Sequence, residues 1–399
     1  MRALIAILLL GVLLSPAARA GEASWDVAAD VELQMRVFTG DAAWLGQDGE
    51  STQTSIAATT ELRWRDASGR QRASLIPYLR WDGTDSERSL VDLHEAYWAY
   101  DGDSVAVLLG ANTVFWGVTE SVHLVDIINQ TDLAGDIDGE EKLGQPMLNV
   151  SLQRDWGELS AYVMPGFRER TFPGIDGRLR APLPVADGQA EYEASAGQDH
   201  VDLALRYSHF IGDVDIGLSL FSGTSREPRF EPADDQQSLV PHYDQIDQAG
   251  LALQYTHDAW LWKLETIVRD GYSQTFAAAV GGFEYTFYQV RDSDADIGLL
   301  LEYQYDGRDE SEPITFADND IFVGTRLALN DVNDTSVLAG VAYDHRTGET
   351  FINVEAERRF AEDWVFELRA RAFSAADPGD TLYWVARDDY VQLQLARYF

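Results

Sequence analysis

Short runs in which apolar and polar residues alternate recur along the whole chain, and the connections between them alternate in length. Runs such as VDLALRY from Val201, VDIGLSLF from Val214, DIGLLLEYQY from Asp296 and VFELRARAF from Val365 have the period of two that sends successive side chains to opposite faces of a strand. Eighteen are read, centred near residues 32, 58, 76, 95, 110, 150, 161, 204, 218, 252, 264, 282, 301, 325, 340, 355, 368 and 394. Every second connection is short and built of Asp, Asn and Gly, as in DASG at 66–69, RDWG at 154–157, IGD at 211–213 and NDVND at 330–334, which is tight-turn chemistry. The other set is mostly long, at about 117–145, 166–197, 223–245, 307–318 and 374–387, with short exceptions at 270–274 and 346–349.

Each run has about the 9 to 11 residues that a tilted membrane strand needs, and an outer-membrane barrel alternates short turns with long loops, which a soluble sandwich has no reason to do. The fold expected is therefore all-β: a transmembrane antiparallel β-barrel of about 18 strands, with 16 as the alternative. The last run, VQLQLARYF, carries Val391, Leu393 and Leu395 on one face and ends on Phe399 in the same register. An even number of strands lets this run pair with the first and removes both sheet edges. Phe399 is then expected at the barrel rim, and Arg397 stands where an aromatic would be commoner. Residues 1–20 read as a secretory signal, with Arg2, an apolar stretch from Ala3 to Leu14 and Ala18-Arg19-Ala20 as the cleavage site. The barrel domain expected is 21–399, exported to the outer membrane of a Gram-negative cell. The chain has no cysteine, so no disulfide contributes to the fold.

The formal net charge of −37, from 67 acidic and 30 basic residues, argues against nucleic acid and against docking on anionic lipid. Hydrophobic residues at 45% and aromatics at 11% argue equally against a disordered acidic tail. With the alternation fixed, one face carries residues such as Val201, Leu203, Leu205, Leu299, Leu301 and Phe366. The other carries Arg63, Arg65, Arg72, Arg80, Arg206, Lys263, Arg326, Arg369 and Arg371, interleaved with Glu302, Glu355 and Glu367. A wall tolerates such charges only where they are paired or wet, and a barrel of 16 to 18 strands has an aqueous lumen to hold them. Two readings of these pore-lining residues stand: a lining neutralised by pairs across strands, or an arginine track for an anionic solute. Surplus acid collects in outward loops, as in FEPADDQQ from Phe230 and DGRDESEP from Asp306, where divalent cations would bridge it to lipopolysaccharide; none has the spacing of a calcium loop. The seven histidines form no H-x-x-x-H pair, no G-x-S-x-G elbow occurs, and Asp344 beside His345 reads as turn chemistry. No enzyme activity, cofactor or metal site is expected, and no flattened apolar stretch marks an oligomer interface.

One stretch stands apart: FWGVTESVHLVDIINQTDLAGDIDGEEKLGQPMLNVSL, from Phe115 to Leu152. Its middle, Glu120 to Asp132, has the spacing of a short helix with Val122, Val125, Ile127 and Ile128 spread around it. So apolar a loop is expected to fold into the lumen as a helical insert over 117–145, with Glu120, His123, Asp126 and Asp132 at the constriction. LHEAYWAYDGDSVAVLLGANTVFWG, from Leu93 to Gly117, resembles the strand, short turn, strand and trailing Trp-Gly of outer-membrane porins of the alginate-export type. The following DIINQTDLAG is similar to the Asn-x-x-Asp segment of a related group of uncharacterised proteobacterial outer-membrane proteins. The C-terminal run likewise resembles the signal read by the barrel-assembly machinery, which is then an expected partner. The resemblance implies a large barrel with a channel. An outer-membrane channel for small or oligomeric polar or anionic solutes is the function expected; a non-conducting barrel for envelope biogenesis or surface binding is the alternative.

Overall fold

The computed structural model describes residues 23 to 399 except Asp235 and Glu310; the expected signal segment lies outside the described residues. Eighteen antiparallel strands form one sheet, each hydrogen-bonded to its neighbours in chain order. The circle closes where Ser24–Phe38, already paired with Thr52–Arg65, also pairs with Tyr390–Tyr398 through Leu33 opposite Leu395 and Val37 opposite Val391. All eighteen expected centres fall inside strands, including the faint ones near 95, 161 and 282, which lie in Leu90–Asp101, Gly157–Pro165 and Phe276–Phe287. Closure leaves no row of unpaired amides, each of which would cost several kcal/mol in hydrocarbon.

Polarity is inverted relative to a soluble fold. Along the first half of Val201–Ile211 the exposed residues are Val201, Leu203 and Leu205, while Asp202 and Ala204 are buried. Leu299, Leu301 and Tyr303 face outward in the same way, and the Glu302 between them is buried. Exposed aromatics gather where the short turns lie. Trp260 stacks on Trp262 and packs on Tyr285, and the Arg397 guanidinium sits 5.4 Å from the Trp364 ring and 4.8 Å from that of Phe399. Arg397 thus fills an aromatic's place with a cation–π stack, its charge left at the rim. Phe399 is itself held by its amide on the Ala29 carbonyl, 2.8 Å away.

The short turns follow from their residues. Gly69 and Gly212 have φ of 73° and 62°, and Asp258, Asn330 and Asp334 also adopt left-handed conformations that Asp and Asn tolerate better than most. The opposite ends of the strands carry the long connections, at 39–51, 83–89, 113–144, 166–200, 225–244, 307–319 and 375–389. Two of these are stitched together by a small sheet in which Arg229–Pro232 pairs with Leu239–Tyr243, which in turn pairs with Glu191–Tyr192.

The helix expected over Glu120–Asp132 is not formed: residues 113–144 run as bends and turns without a helical segment. The physical reason is an outside supply of acceptors. A helix would satisfy the backbone N–H groups of this loop internally, and two wall carboxylates take five of them instead. Glu265, fully buried, accepts from the amides of Val118 (2.6 Å), Thr119 (3.1 Å) and Val125 (3.1 Å) and from the Thr119 hydroxyl (2.8 Å). Glu302 accepts from the amides of Glu120 and Ser121, both at 2.9 Å, and from the Ser121 hydroxyl at 2.6 Å. The β-branched Val118, Thr119, Val122 and Val125 have little helix propensity to set against this.

Candidate constriction zone

The segment 113–144 leaves the wall after Val105–Asn112 and returns at Gln145–Arg154, two neighbouring strands, and it lies inside the barrel. Asn129 clips its base. The side-chain oxygen accepts from the Val114 amide at 2.8 Å, and the side-chain nitrogen donates to the carbonyls of Asn112 (2.9 Å) and Leu143 (2.8 Å). Gly144 lets the returning limb touch the wall, since a Cβ there would collide with the Leu93 carbonyl oxygen. The first half of the segment is greasy. Trp116, Val125, Ile127 and Ile128 pack with Met164, Phe221, Ile267 and Phe276 in one buried cluster.

The second half is held by charge. Asp132 pairs with Arg80 at 2.6 Å and accepts from the Thr171 hydroxyl; Glu141 pairs with the same guanidinium at 2.9 Å. Asp138 meets Arg371 at 2.6 Å, and Asp136 lies 3.0 Å from Arg369 and 3.4 Å from Arg371 while accepting from the Tyr390 hydroxyl. Burial alone would push Asp136 up, but Arg371, Arg36 and Arg369 together hold its carboxyl well below the usual range. Asp138 moves the other way, raised to about 7 by burial and by the negative charge of Asp136, with Arg371 opposing. His123 lies 3.1 Å from Glu140 and 3.9 Å from Glu265. Burial disfavours its charged form, yet hydrogen bonds and charge from these two carboxylates prevail and raise its pKa to about 10.

The residues expected to line the pore lie on the inward side of the wall. Lys263 and Arg326 both reach Glu120, at 3.5 and 2.7 Å. Arg72 pairs with Asp101 at 3.0 Å, and Glu355 joins Arg371 at 3.1 Å. Glu367 lies 3.7 Å from Arg369. Arg63 and Arg65 share the parity of the buried Gln53, Ser55 and Ala57, and Arg63 pairs with Glu61 at 3.0 Å. Arg206 stacks over the Trp116 ring at 4.9 Å. Of the four residues expected at the constriction, Glu120 bridges two cations, His123 joins two carboxylates, Asp132 holds Arg80, and Asp126 faces Lys142 at 3.4 Å.

Sequence reasoning missed that other connections fold inward as well. Arg88 in 83–89 is buried against Asp82, Ser55 and Gln34. Arg178 in 166–200 pairs with Asp388 of 375–389 at 2.5 Å, and the same carboxylate accepts from the Leu179 amide. A signal was present: Arg168, Arg170, Arg178 and Arg180 crowd one loop of a strongly acidic chain.

Residues 132–142 lie between two spaces. On one side Asp132, Glu141 and Lys142 join Glu32, His94 and Arg369 around a polar chamber of about 290 Å³. On the other, Leu133 and Ile137 face an apolar vestibule of about 100 Å³ built from the outer connections. A closed antiparallel barrel, apolar outside and charged inside, with a long connection folded into its lumen, has the architecture of the porin class. No family model matches the chain, and no curated protein matches it. Similar solved structures include a multiple mutant of Rh. blastica porin and a triple mutant of Rhodopseudomonas blastica porin. Each is 14% identical over 94% of this chain and 100% of that chain, with a TM-score of 0.45. The strand registers by themselves define a closed 18-stranded antiparallel barrel.

Proposed function

We propose that the protein is a channel of the Gram-negative outer membrane, reached with the help of a cleaved leader, and that it passes small polar or charged solutes rather than catalysing a reaction. The observation that carries this reading is the inverted polarity of a closed wall, with exposed Leu203 and Leu301 on one side and charged residues on the other. Only a hydrocarbon surround and a wet lumen make that arrangement favourable. Solutes would pass between the wall and residues 113–144, which narrow the path and set its local field.

The lining reads as neutralised. Arg72, Arg80, Lys263, Arg326, Arg369 and Arg371 all have carboxylates within 4.0 Å. Such pairing supports weak ion selectivity and speaks against an unpartnered arginine track for an acidic polysaccharide. The acidic outer connections fit cation-bridged lipopolysaccharide, and the strand Tyr390–Tyr398 fits recognition by the assembly machinery.

One observation favours the alternative, a non-conducting barrel for envelope biogenesis or surface binding: several outer connections fold inward, and residues 132–142 separate vestibule from chamber. Planar bilayers decide. The channel reading expects reproducible conductance steps that grow when residues 118–142 are replaced by a Gly-Ser linker. Silence of both proteins after verified folding overturns it.

A further inference from the structure

The vestibule is where five outer connections converge, contributing Leu133 and Ile137, Phe172, Phe230, Phe316 and Trp384. Phe172 and Phe230 meet edge to face at 5.4 Å. Phe316 and Ile314 remain 46% and 37% exposed, so the apolar lining continues to the surface. A space of about 100 Å³ is somewhat smaller than the roughly 150 Å³ apolar cavity that accommodates benzene, and it is open on one side. It suits a ring-sized apolar body with one end in the mouth.

Its polar groups are few and unbalanced. Arg170 lines the space, and its Nε donates to Gln130 at 3.3 Å while its amide donates to the Tyr243 hydroxyl. Among the described residues no carboxylate lies within 4.0 Å of Arg170, and its two terminal nitrogens make no hydrogen bond. Arg180, 4% exposed, also lacks a carboxylate partner among the described residues; its terminal nitrogens go to backbone carbonyls, including those of Ala181 and Leu45. The acid of the vestibule, Glu227, is already shared by Arg269 at 2.5 Å and Arg308 at 3.4 Å. Arg170 feels Glu227 together with Arg269 and Arg308, and Arg180 feels Asp388, Asp85 and Asp176, so what the apolar space offers an anion is the fork of Arg170, which no carboxylate contacts directly, and not an unopposed positive field.

We propose that this vestibule binds small amphipathic carboxylates, with a ring-sized apolar body against Phe172, Phe230 and Phe316 and the carboxylate on the free fork of Arg170. A planar guanidinium with both terminal nitrogens open offers a carboxylate two parallel hydrogen bonds, and the apolar walls keep competing water away. Binding at this site stands without transport; that the bound acid is also a solute of the channel rests on the function proposed above.

The test uses the full barrel in nanodiscs with methyl-labelled Ile and Leu, titrated at fixed ionic strength with benzoate, benzyl alcohol and acetate. Benzoate is expected to shift the methyls of Leu133, Ile137 and Ile314 saturably, benzyl alcohol to bind roughly tenfold more weakly, and acetate to give no saturable shift. Arg170→Gln should lower benzoate affinity to that of benzyl alcohol, and Arg170→Lys should restore part of it. Phe316→Ser, at an exposed loop position, should weaken both ring compounds in a barrel whose wall is untouched. Equal affinities for benzoate and benzyl alcohol, or an Arg170→Gln variant that binds benzoate as before, overturn the proposal. Conductance without a benzoate shift sinks the site and leaves the channel; a saturable shift in a barrel silent in bilayers sinks the channel and leaves the site.

Discussion

Replacing Glu265 by Gln isolates what holds the in-folded segment. The carboxylate sits in the strand Trp260–Asp270 and receives three backbone amides and one hydroxyl from residues 118–125. An amide of the same shape keeps one acceptor and turns the other into a donor aimed at an N–H. Hydrogen bonds to a charged acceptor contribute about 1.5–3 kcal/mol each against about 0.5–1.5 for neutral ones, and an orphaned buried amide costs about 1–3. Weakening three bonds and orphaning one amide comes to about 2–4 kcal/mol once local relaxation is allowed for. That is roughly a 30- to 1,000-fold increase in the open population of the segment. Hydrogen exchange on the folded barrel in nanodiscs reads it directly. The amides of Val118, Thr119 and Val125 should exchange faster by that factor, while wall amides such as that of Leu300 stay unchanged. Unaltered exchange at all three, or equal acceleration in the wall, would refute the assignment of Glu265 as the anchor.

Three other outcomes follow from the geometry. The folded pKa of His123 lies above its unfolded value near 6.5, at about 10, so its hold on Glu140 and Glu265 is fully present below pH 6.5 and lost as pH rises through 10; an imidazole titration by NMR with a midpoint near 6.5 would contradict this. Arg371→Gln leaves Asp136 and Asp138 short of their shared partner and should destabilise the barrel by about 3–5 kcal/mol, seen as a lower thermal midpoint, with Asp138→Asn in the same chain recovering part of the loss. Leu301→Arg, mid-strand on the outer face, should cost about 2–4 kcal/mol in equilibrium folding into bilayers, whereas Arg63→Ala on the inner face should stay within about 0.5; equal effects would mean that the faces are wrongly assigned.

The wall was legible because its code is local. A period of two and a tight turn are written in neighbouring residues, so even the strand around residue 161 could be placed from LSAYVM and its flanking turn. The choice of faces followed, as Leu203 and Asp202 show. The interior was not legible, because its partners are remote in sequence and depend on register. Nothing near Asp136 announces Arg371, 235 residues away, and nothing near Val118 announces Glu265. The helix expected over Glu120–Asp132 fails for the same reason: apolar spacing is local, but the carboxylates that take the amides of this loop lie 140 or more residues away. The inward course of 83–89 and 166–200 escaped notice because a polar loop with arginines looks solvated until the acids that receive it, Asp82 and Asp388, are seen in place.

Covalently, the insert joins the wall only at residues 112 and 145, on adjacent strands; elsewhere its grip is a patch of grease, amides held by Glu265 and Glu302, and a set of opposite charges. The barrel and its stopper therefore answer to different solvents. Heat and detergent work on the cylinder through its hydrogen-bonded seams, whereas protons work on the insert by neutralising Asp138, whose raised pKa of about 7 ties its contact with Arg371 to mild acid. Mild acid would alter the throat of this tube before it reached the seams of the tube itself.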